Sequence, residues 1–139
     1  MNEQIEIKYF KEIDLNDGFF DSLKKAYDGF LEWFNNKAEK YSKAYVQYNS
    51  NNKLQAFLYL KIEEGLLEDI IPQRLEAKRL KVGTFKIDAH DTKLGEKFIK
   101  IITNYAIVES VKEIYVTIFP EQVGLISLLN KYGFLEQGF

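Results

Sequence analysis

The first third of the chain changes from a strand period to a helix period. Ile5, Ile7 and Tyr9 occupy every second position, which predicts a strand near the amino terminus. Two helical stripes follow, with Gly29 between them as the break. Their apolar residues are Phe19, Phe20, Leu23 and Tyr27, and then Phe30, Leu31, Trp33, Phe34 and Ala38. Asp14, Asn16 and Asp17 are candidate N-caps, and we expect the first helix to begin near Asp17.

The middle of the chain predicts a hairpin, a long strand and an amphipathic helix. The hairpin strands cover residues 44–48 and 54–62, and a polar turn joins them. The next strand covers residues 79–89, with a bulge expected at Gly83, where the apolar residues change faces. The helix covers residues 94–108, because its apolar residues recur at intervals of three and four.

The last part of the chain predicts a strand at 113–119, a helix at 121–132 and a terminal strand from Phe134. The complete order is β-α-α-β-β-β-α-β-α-β. This order predicts an α/β (α+β) fold, a mixed and mostly antiparallel sheet flanked by helices. Since no linker or repeat interrupts the pattern, we expect residues 1–139 to form a single domain.

Composition excludes several function classes. The 19 basic and 21 acidic side chains leave a net charge of -2, so no positive field favours nucleic acid as a partner. Without cysteine, and with one histidine, the chain offers neither a disulfide framework nor a thiolate or imidazole-rich metal centre. No run of about 18 apolar residues and no signal-peptide core suggests a membrane or an export route, so we expect a cytoplasmic protein.

The junction at residues 85–98 carries the candidate chemistry. A strand ends there, a polar loop follows and an amphipathic helix starts, so unpaired backbone N–H groups and the positive end of the helix dipole attract an anion. Gly95 lets a phosphate approach the backbone closely, and Lys93 could pair with it as a point charge. Lys86, Lys97 and Lys100 are interpreted as solvated surface residues. Such junctions are also common in α/β proteins, where Leu94 and Phe98 would be core residues.

Two short motifs resemble the GNAT N-acetyltransferases. That family follows its fourth strand with Q/R-x-x-G-x-G/A, and the aligned residues here are His90 to Gly95. Gly95 matches the last glycine, whereas His90 replaces the Gln or Arg and Lys93 replaces the first glycine. Tyr132-Gly133-Phe134 is similar to the glycine-phenylalanine ending between the family's last helix and its sixth strand. The order of the elements agrees over nearly the whole chain.

The resemblance implies an N-acetyltransferase that passes an acetyl group from acetyl-CoA directly to a primary amine, on a small molecule or a peptide. In this family the loop amides bind the pyrophosphate, and the backbone of the fourth strand pairs with the pantetheine arm. It also implies that the fourth strand splays from the fifth to admit the acyl chain, and that His90 contacts phosphate instead of transferring protons. The implied coenzyme-binding residues are Phe85, Ile87, Ala89, His90, Lys93, Leu94, Gly95 and Glu96.

The catalytic residues of that family have no clear counterparts. The position where many members carry an acidic tyrosine is Leu129, and Tyr132 lies on another face of the helix. The stretch 78–81, where the family often keeps a glutamate, reads Lys-Arg-Leu-Lys. Charges further upstream, at Glu68, Asp69 and Glu76, could act through water or be surface residues. The alternative function is therefore a degenerate GNAT-like module that binds a coenzyme or a protein partner without turnover.

Two further expectations concern the aromatic residues and the edge of the sheet. The aromatic residues of the first two helices are interpreted mostly as core, although the resemblance also allows them to line an acceptor pocket. Only a few residues follow Phe134, so we expect these residues not to supply the family's seventh strand. An uncovered sheet edge is normally paired or protected. We therefore expect either a covalently linked C-terminal domain in a longer polypeptide or a homodimer that completes the sheet.

Overall fold

The computed structural model describes residues 4–67, 74–88, 92–111, 113–116 and 123–134. Within them five strands form a sheet in the order β1-β2-β3-β4-β5. The strands are β1 (Glu6–Tyr9), β2 (Lys43–Tyr48), β3 (Leu54–Leu67), β4 (Arg74–Ile87) and β5 (Glu113–Val116). The helices are α1 (Asp21–Ala26), α2 (Phe30–Glu39), α3 (Thr92–Val108) and α4 (Val123–Lys131), and two short 3₁₀ turns precede α1.

The pairing of the strands is mixed. β1 pairs with β2 and β2 with β3 in the antiparallel direction, with an irregularity between Gln47 and Tyr48. β4 pairs with β5 in parallel, from Arg79 beside Glu113 to Val82 beside Val116. Parallel neighbours need a crossover, and α3 provides it.

The predicted order of elements recurs over the described residues, and the predicted bounds of two strands were wrong. β3 continues through Gly65 to Leu67, and β4 begins at Arg74 instead of residue 79. The predicted terminal strand, Glu68 and Asp69 lie outside the described residues. After Gly83 the adjacent residues Phe85 and Lys86 are both buried, so simple alternation is lost where the sequence places the bulge.

The chain forms two compact units. The amino-terminal unit contains residues 1–59 and 85–89, and the carboxy-terminal unit contains residues 60–84 and 90–139. β3 and β4 each contribute residues to both units. No helix among the described residues combines the length and apolarity that crossing a membrane requires.

An aromatic cluster forms the core of the amino-terminal unit. The ring of Phe10 lies 4.9 Å from that of Phe34 and 5.5 Å from that of Phe57. Phe20 packs against the same two rings at 5.4 and 5.6 Å. Aromatic pairs at such distances add to the free energy of burial. The core interpretation is confirmed for four of the six helix-region rings, namely Phe19, Phe20, Phe30 and Phe34.

The other two of these six rings and the residues of β1 are less buried. Trp33 is half-buried, and Tyr27 is 38% exposed. The first strand is correctly predicted, yet Ile7 and Tyr9 are exposed, and only Phe10 at its end is fully buried.

Asp17 is confirmed as a cap: one carboxylate oxygen accepts from the backbone N–H of Phe19 at 2.9 Å. The other oxygen accepts from the N–H of Leu54 at 3.0 Å, which ties the first helical segment to β3.

Lys86 is a buried residue, and its interpretation as a solvated lysine was wrong. It is 7% exposed, and its Nζ donates to the backbone carbonyl of Phe19 and, at 2.8 Å, to Ser22 Oγ. Asp88 lies 3.5 Å from the same ammonium, and the ring of Phe19 lies beneath it. A buried ammonium needs such partners, so Lys86 fastens the start of α1 to the end of β4.

The core of the carboxy-terminal unit comes from one face of β4 and from the apolar stripes of α3 and α4. Leu80 and Val82 are completely buried. The predicted stripe of α3 consists of Leu94, Phe98, Ile101, Ile102 and Tyr105, and it is confirmed in part. Leu94, Phe98 and Ile102 are buried, as is Ile99, whereas Ile101 and Tyr105 are half-buried. On the opposite face Lys97, Lys100 and Asn104 are exposed, as predicted. Leu125 and Leu129 of α4 are also buried.

Three helices end in the same hydrogen-bonded motif. In α4 the N–H of Phe134 donates to the carbonyl of Leu129, and the N–H of Gly133 donates to that of Asn130. α2 and α3 end with the equivalent pairs of bonds, which define the Schellman motif. The residue of this motif with positive φ is Tyr41 after α2, Ser110 after α3 and Gly133 after α4. The glycine of the glycine-phenylalanine motif is therefore a helix C-cap.

We expect Gly133→Ala to lower the free energy of unfolding by about 1 kcal/mol, because an L side chain is strained at the φ of +94° found there. No heavy atom approaches the added Cβ, so strain alone sets the cost. Gly124→Ala is the matched control within α4, where the added methyl also meets open space. It should stabilise by up to about 1 kcal/mol. Equal effects in urea denaturation would contradict this explanation.

We expect Lys86→Met to lower the free energy of unfolding by about 2 kcal/mol, because the buried carbonyl of Phe19 loses a charged donor. Methionine retains the apolar stem of the lysine. Lys25→Met, at an exposed position of α1, is the control and should change stability by less than about 0.5 kcal/mol. Denaturant melts measure both variants. An unchanged midpoint for Lys86→Met would show that the ammonium contributes no net stability.

Candidate functional site

The amino terminus of α3 is the candidate anion site. β4 ends at Ile87 and α3 begins at Thr92, after residues that lie outside those described. The first four N–H groups of any α-helix have no intrahelical acceptor, and the aligned peptide dipoles add partial positive charge there. α3 is 17 residues long, so its dipole is fully developed. Phosphate oxygens are suitable partners for such N–H groups.

The predicted coenzyme residues contribute in different ways. Ala89 and His90 lie outside the described residues, and the predicted site is otherwise divided between the two units. In the amino-terminal unit Phe85 is buried and Ile87 is half-buried. In the carboxy-terminal unit Leu94 and Gly95 are buried, Glu96 is half-buried and Lys93 is exposed. Leu94 and Gly95 therefore offer backbone groups at the start of the helix, since the side chain of Leu94 belongs to the core.

Lysines lie on one exposed face of the first two turns of α3. Lys93 lies in the first turn, and Lys97 follows four residues later on the same face. Both side chains are exposed, as expected for Lys97. Only Lys93 is close to the free N–H groups, because the influence of a helix end decays within one turn. The two lysines are consequently a matched pair for testing anion binding.

A second feature of the carboxy-terminal unit is a row of polar side chains across β3, β4 and β5, which we term the polar face. The parallel register sets Arg79 beside Glu113 and Lys81 beside Tyr115. Residues that alternate along a strand share a face, so these side chains lie opposite buried Leu80 and Val82. Among the described side chains, the polar face consists of Lys61, Glu63, Arg79, Lys81, Glu113 and Tyr115.

Specific contacts organise the polar face. Arg79 is 3% exposed, and its Nε lies 2.6 Å from Glu113 Oε1. The hydroxyl of Tyr115 donates a hydrogen bond to Glu63 Oε1. The other carboxylate oxygen of Glu63 lies 3.7 Å from Nζ of Lys61, which is half exposed. The face thus contains a close ion pair between Arg79 and Glu113. It also contains the carboxylate of Glu63, which accepts a hydrogen bond from the hydroxyl of Tyr115 at one of its two oxygens.

The structure describes several of the positions that were considered for catalysis from the sequence. Leu129 is buried in the core, and Tyr132 is 48% exposed after the end of α4. Glu76 lies in β4. Sequence reasoning missed Glu63 and Tyr115 because they are 52 positions apart and each resembles an ordinary polar residue of a strand. The alternation of Lys61 with Glu63 was the only local signal.

Within the described part of the chain, no group of three or more histidine or acidic residues is arranged to hold a metal ion. The electrostatic character of the site therefore comes, in the residues described, from lysine and arginine side chains, carboxylates and helix N–H groups.

No family model matches this sequence, and no curated protein matches it in sequence. Solved structures match it in fold. A protein from Clostridium acetobutylicum, predicted to be an acetyltransferase and solved with acetyl-CoA, has a TM-score of 0.67 at 14% identity, over 98% of this chain and 92% of that chain.

Two named enzymes have similar structures. The ribosomal-protein-alanine N-acetyltransferase of Brucella melitensis biovar Abortus 2308 has a TM-score of 0.65 at 10% identity, over 99% of this chain and 96% of its own. The glucosamine-6-phosphate N-acetyltransferase of Arabidopsis thaliana has a TM-score of 0.59 at 14% identity, over 99% of this chain and 95% of its own. The likeness extends over nearly the whole of each chain. The chain therefore has the fold of the GNAT N-acetyltransferases.

Proposed function

We propose that this protein is an N-acetyltransferase that transfers the acetyl group of acetyl-CoA directly to a primary amine. The observation that carries the proposal is the strand–loop–helix junction of β4 and α3 within a GNAT fold. A fold alone does not establish an activity. The support from this chain's own residues is the amino terminus of α3, the buried Gly95 close to it and the exposed Lys93 in its first turn.

The coenzyme would be held mainly by backbone groups. The N–H groups around Leu94 and Gly95 would bind the pyrophosphate, and Lys93 would add a positive charge. The backbone of Phe85 and Ile87 would pair with the amides of the pantetheine arm, as a strand edge pairs with an added strand. Bound in this way, the thioester is positioned for attack by an amine in a single complex, which removes the entropy cost of a separate encounter.

The acceptor is proposed only as a primary amine. The similar structures include enzymes named for an amino sugar phosphate and for a protein's alanine, which are chemically distant acceptors. A panel should therefore contain glucosamine 6-phosphate, a peptide with amino-terminal alanine, and a polyamine such as spermidine. Release of free coenzyme A thiol reports turnover with any of them.

We expect acetyl-CoA to bind in calorimetric titration, and Lys93→Ala to weaken that binding about fivefold at low salt. The reason is the loss of one positive charge close to the phosphates, an interaction that salt screens. The control is Lys97→Ala, one turn further along α3, which should bind like the unsubstituted chain. Raising the ionic strength should reduce the difference between the two variants.

Three results would separate the alternatives. No binding of acetyl-CoA by the unsubstituted chain would reject the proposed function. Equal weakening by Lys93→Ala and Lys97→Ala would place the phosphates away from the first turn of α3. Binding without thiol release across the panel would favour the coenzyme-binding module without turnover, which buried Leu129 at the usual tyrosine position also favours.

A further inference from the structure

Acetyl transfer from a thioester to an amine needs two proton transfers. A base removes a proton from the attacking nitrogen, and an acid gives one to the departing sulfur. The positions in β4 and α4 that were examined for these roles hold no suitable group among the described side chains, since Leu129 is buried and Arg79 is engaged by Glu113. The polar face, however, contains a carboxylate and a phenol that are already hydrogen-bonded to one another.

We infer that Glu63 and Tyr115 are the proton-transfer pair of the proposed reaction, with Glu63 as the base and Tyr115 as the acid. The inference rests on the proposed function. It assigns the two roles to β3 and β5, the strands on either side of β4. Lys81, beside Tyr115 in the register, precedes Phe85 by four residues on the strand along which the coenzyme arm is proposed to lie.

The geometry of Glu63 suits a base that receives an amine. Its Oε1 is occupied by the hydroxyl of Tyr115, whereas its Oε2 has Lys61 Nζ at 3.7 Å. A charge-assisted hydrogen bond is shorter, about 2.7–2.9 Å, so the contact with Lys61 is loose and an exposed pair of this kind contributes little. A primary ammonium thus already lies near this oxygen, where the nitrogen of an acceptor would have to bind. The Glu63 side chain is 25% exposed, which leaves a route from solvent.

The other carboxylates of this region are less suitable. Glu113 is held by the buried guanidinium of Arg79 at 2.6 Å, and releasing it would leave that charge without its close partner. Glu109 lies 3.4 Å from Lys78 at the end of α3.

The proposed steps balance as follows. The neutral amine attacks the thioester carbonyl carbon, a C–N bond forms, and Glu63 takes one proton from the nitrogen. The C–S bond breaks and its electron pair goes to sulfur, which receives the hydroxyl proton of Tyr115. The carboxyl group of Glu63 then rotates so that its protonated oxygen faces Tyr115, and the proton passes to the oxygen of Tyr115. The products are the amide and coenzyme A thiol, and both residues return to their starting states.

The test uses Glu63→Gln and Tyr115→Phe in the full chain, assayed with the panel amine that gives the fastest thiol release. Each variant is expected to lower kcat about 100-fold, the size of a general acid–base contribution, and to change the Kd for acetyl-CoA less than twofold. The double variant should be no more than about threefold slower than either single variant, because the two residues act as one unit.

Matched controls separate chemistry from folding. Tyr132→Phe and Glu109→Gln remove a hydroxyl and a charge elsewhere in the same unit, and both should retain the kcat of the unsubstituted chain. Thermal melts identify any variant that does not fold, and the remaining single variant then decides. If folded Tyr115→Phe or Glu63→Gln retains full kcat, the inference is wrong while the proposed function stands. Coenzyme binding without turnover by the unsubstituted chain also overturns it, whereas absence of coenzyme binding rejects the proposed function itself.

Discussion

The parallel pairing of β4 with β5 is the constraint from which the candidate site follows. Parallel neighbours cannot be joined by a tight turn, so the chain must return along a crossover, which here is α3. The crossover helix follows β4 along the chain, and the first N–H groups of an α-helix have no intrahelical acceptor. The same pairing aligns Lys81 with Tyr115 and Arg79 with Glu113. One pairing thus generates both a helix terminus for an anion and a polar row for proton transfer.

The sequence predicted those parts of the structure that depend on local periodicity. The stripe of α3 and the cap at Asp17 were recognised because each is set by residues within a few positions of one another. The extents of β3 and β4 were not, because Gly65 and the charged residues near it resemble a turn. In the structure β3 continues through that glycine. Pairing with a neighbouring strand, which is invisible in the local pattern, overrides the preference of single residues.

Lys86 shows the same limit in the amino-terminal unit. Lysine is almost never buried without partners, so a polar position near the end of a strand is correctly expected to be solvated in most proteins. Here the carbonyl of Phe19 and the hydroxyl of Ser22, more than 60 positions earlier, supply those partners. Only the fold brings them together. Local sequence could therefore indicate Lys93 and Gly95, which are neighbours in one helical turn, but not the contact of Glu63 with Tyr115.

Helix termination also depends on more than the residue at the special position. Gly133 has the residue type that a left-handed conformation favours, whereas Tyr41 and Ser110 adopt the same conformation with a side chain attached. The backbone strain at Tyr41 is partly offset by a cation–π contact with Lys11, whose ammonium lies 4.5 Å from the centre of the tyrosine ring. The glycine-phenylalanine motif is consequently evidence of a helix end and of the fold. It is not evidence of a catalytic group.

In the proposed site the backbone binds the coenzyme and side chains transfer protons. This difference explains how the fold persists at 10–14% identity to similar structures. A pyrophosphate bound by helix N–H groups and an arm paired with a strand edge depend on the course of the main chain, and many sequences can provide that course. Proton transfer instead depends on individual side chains. The position of such a side chain can differ between proteins when another strand supplies an equivalent group close enough to the reacting atoms. This chain has a buried leucine in α4, and it has a hydrogen-bonded carboxylate and phenol on β3 and β5. This combination is expected if the proton-transfer groups lie on other strands.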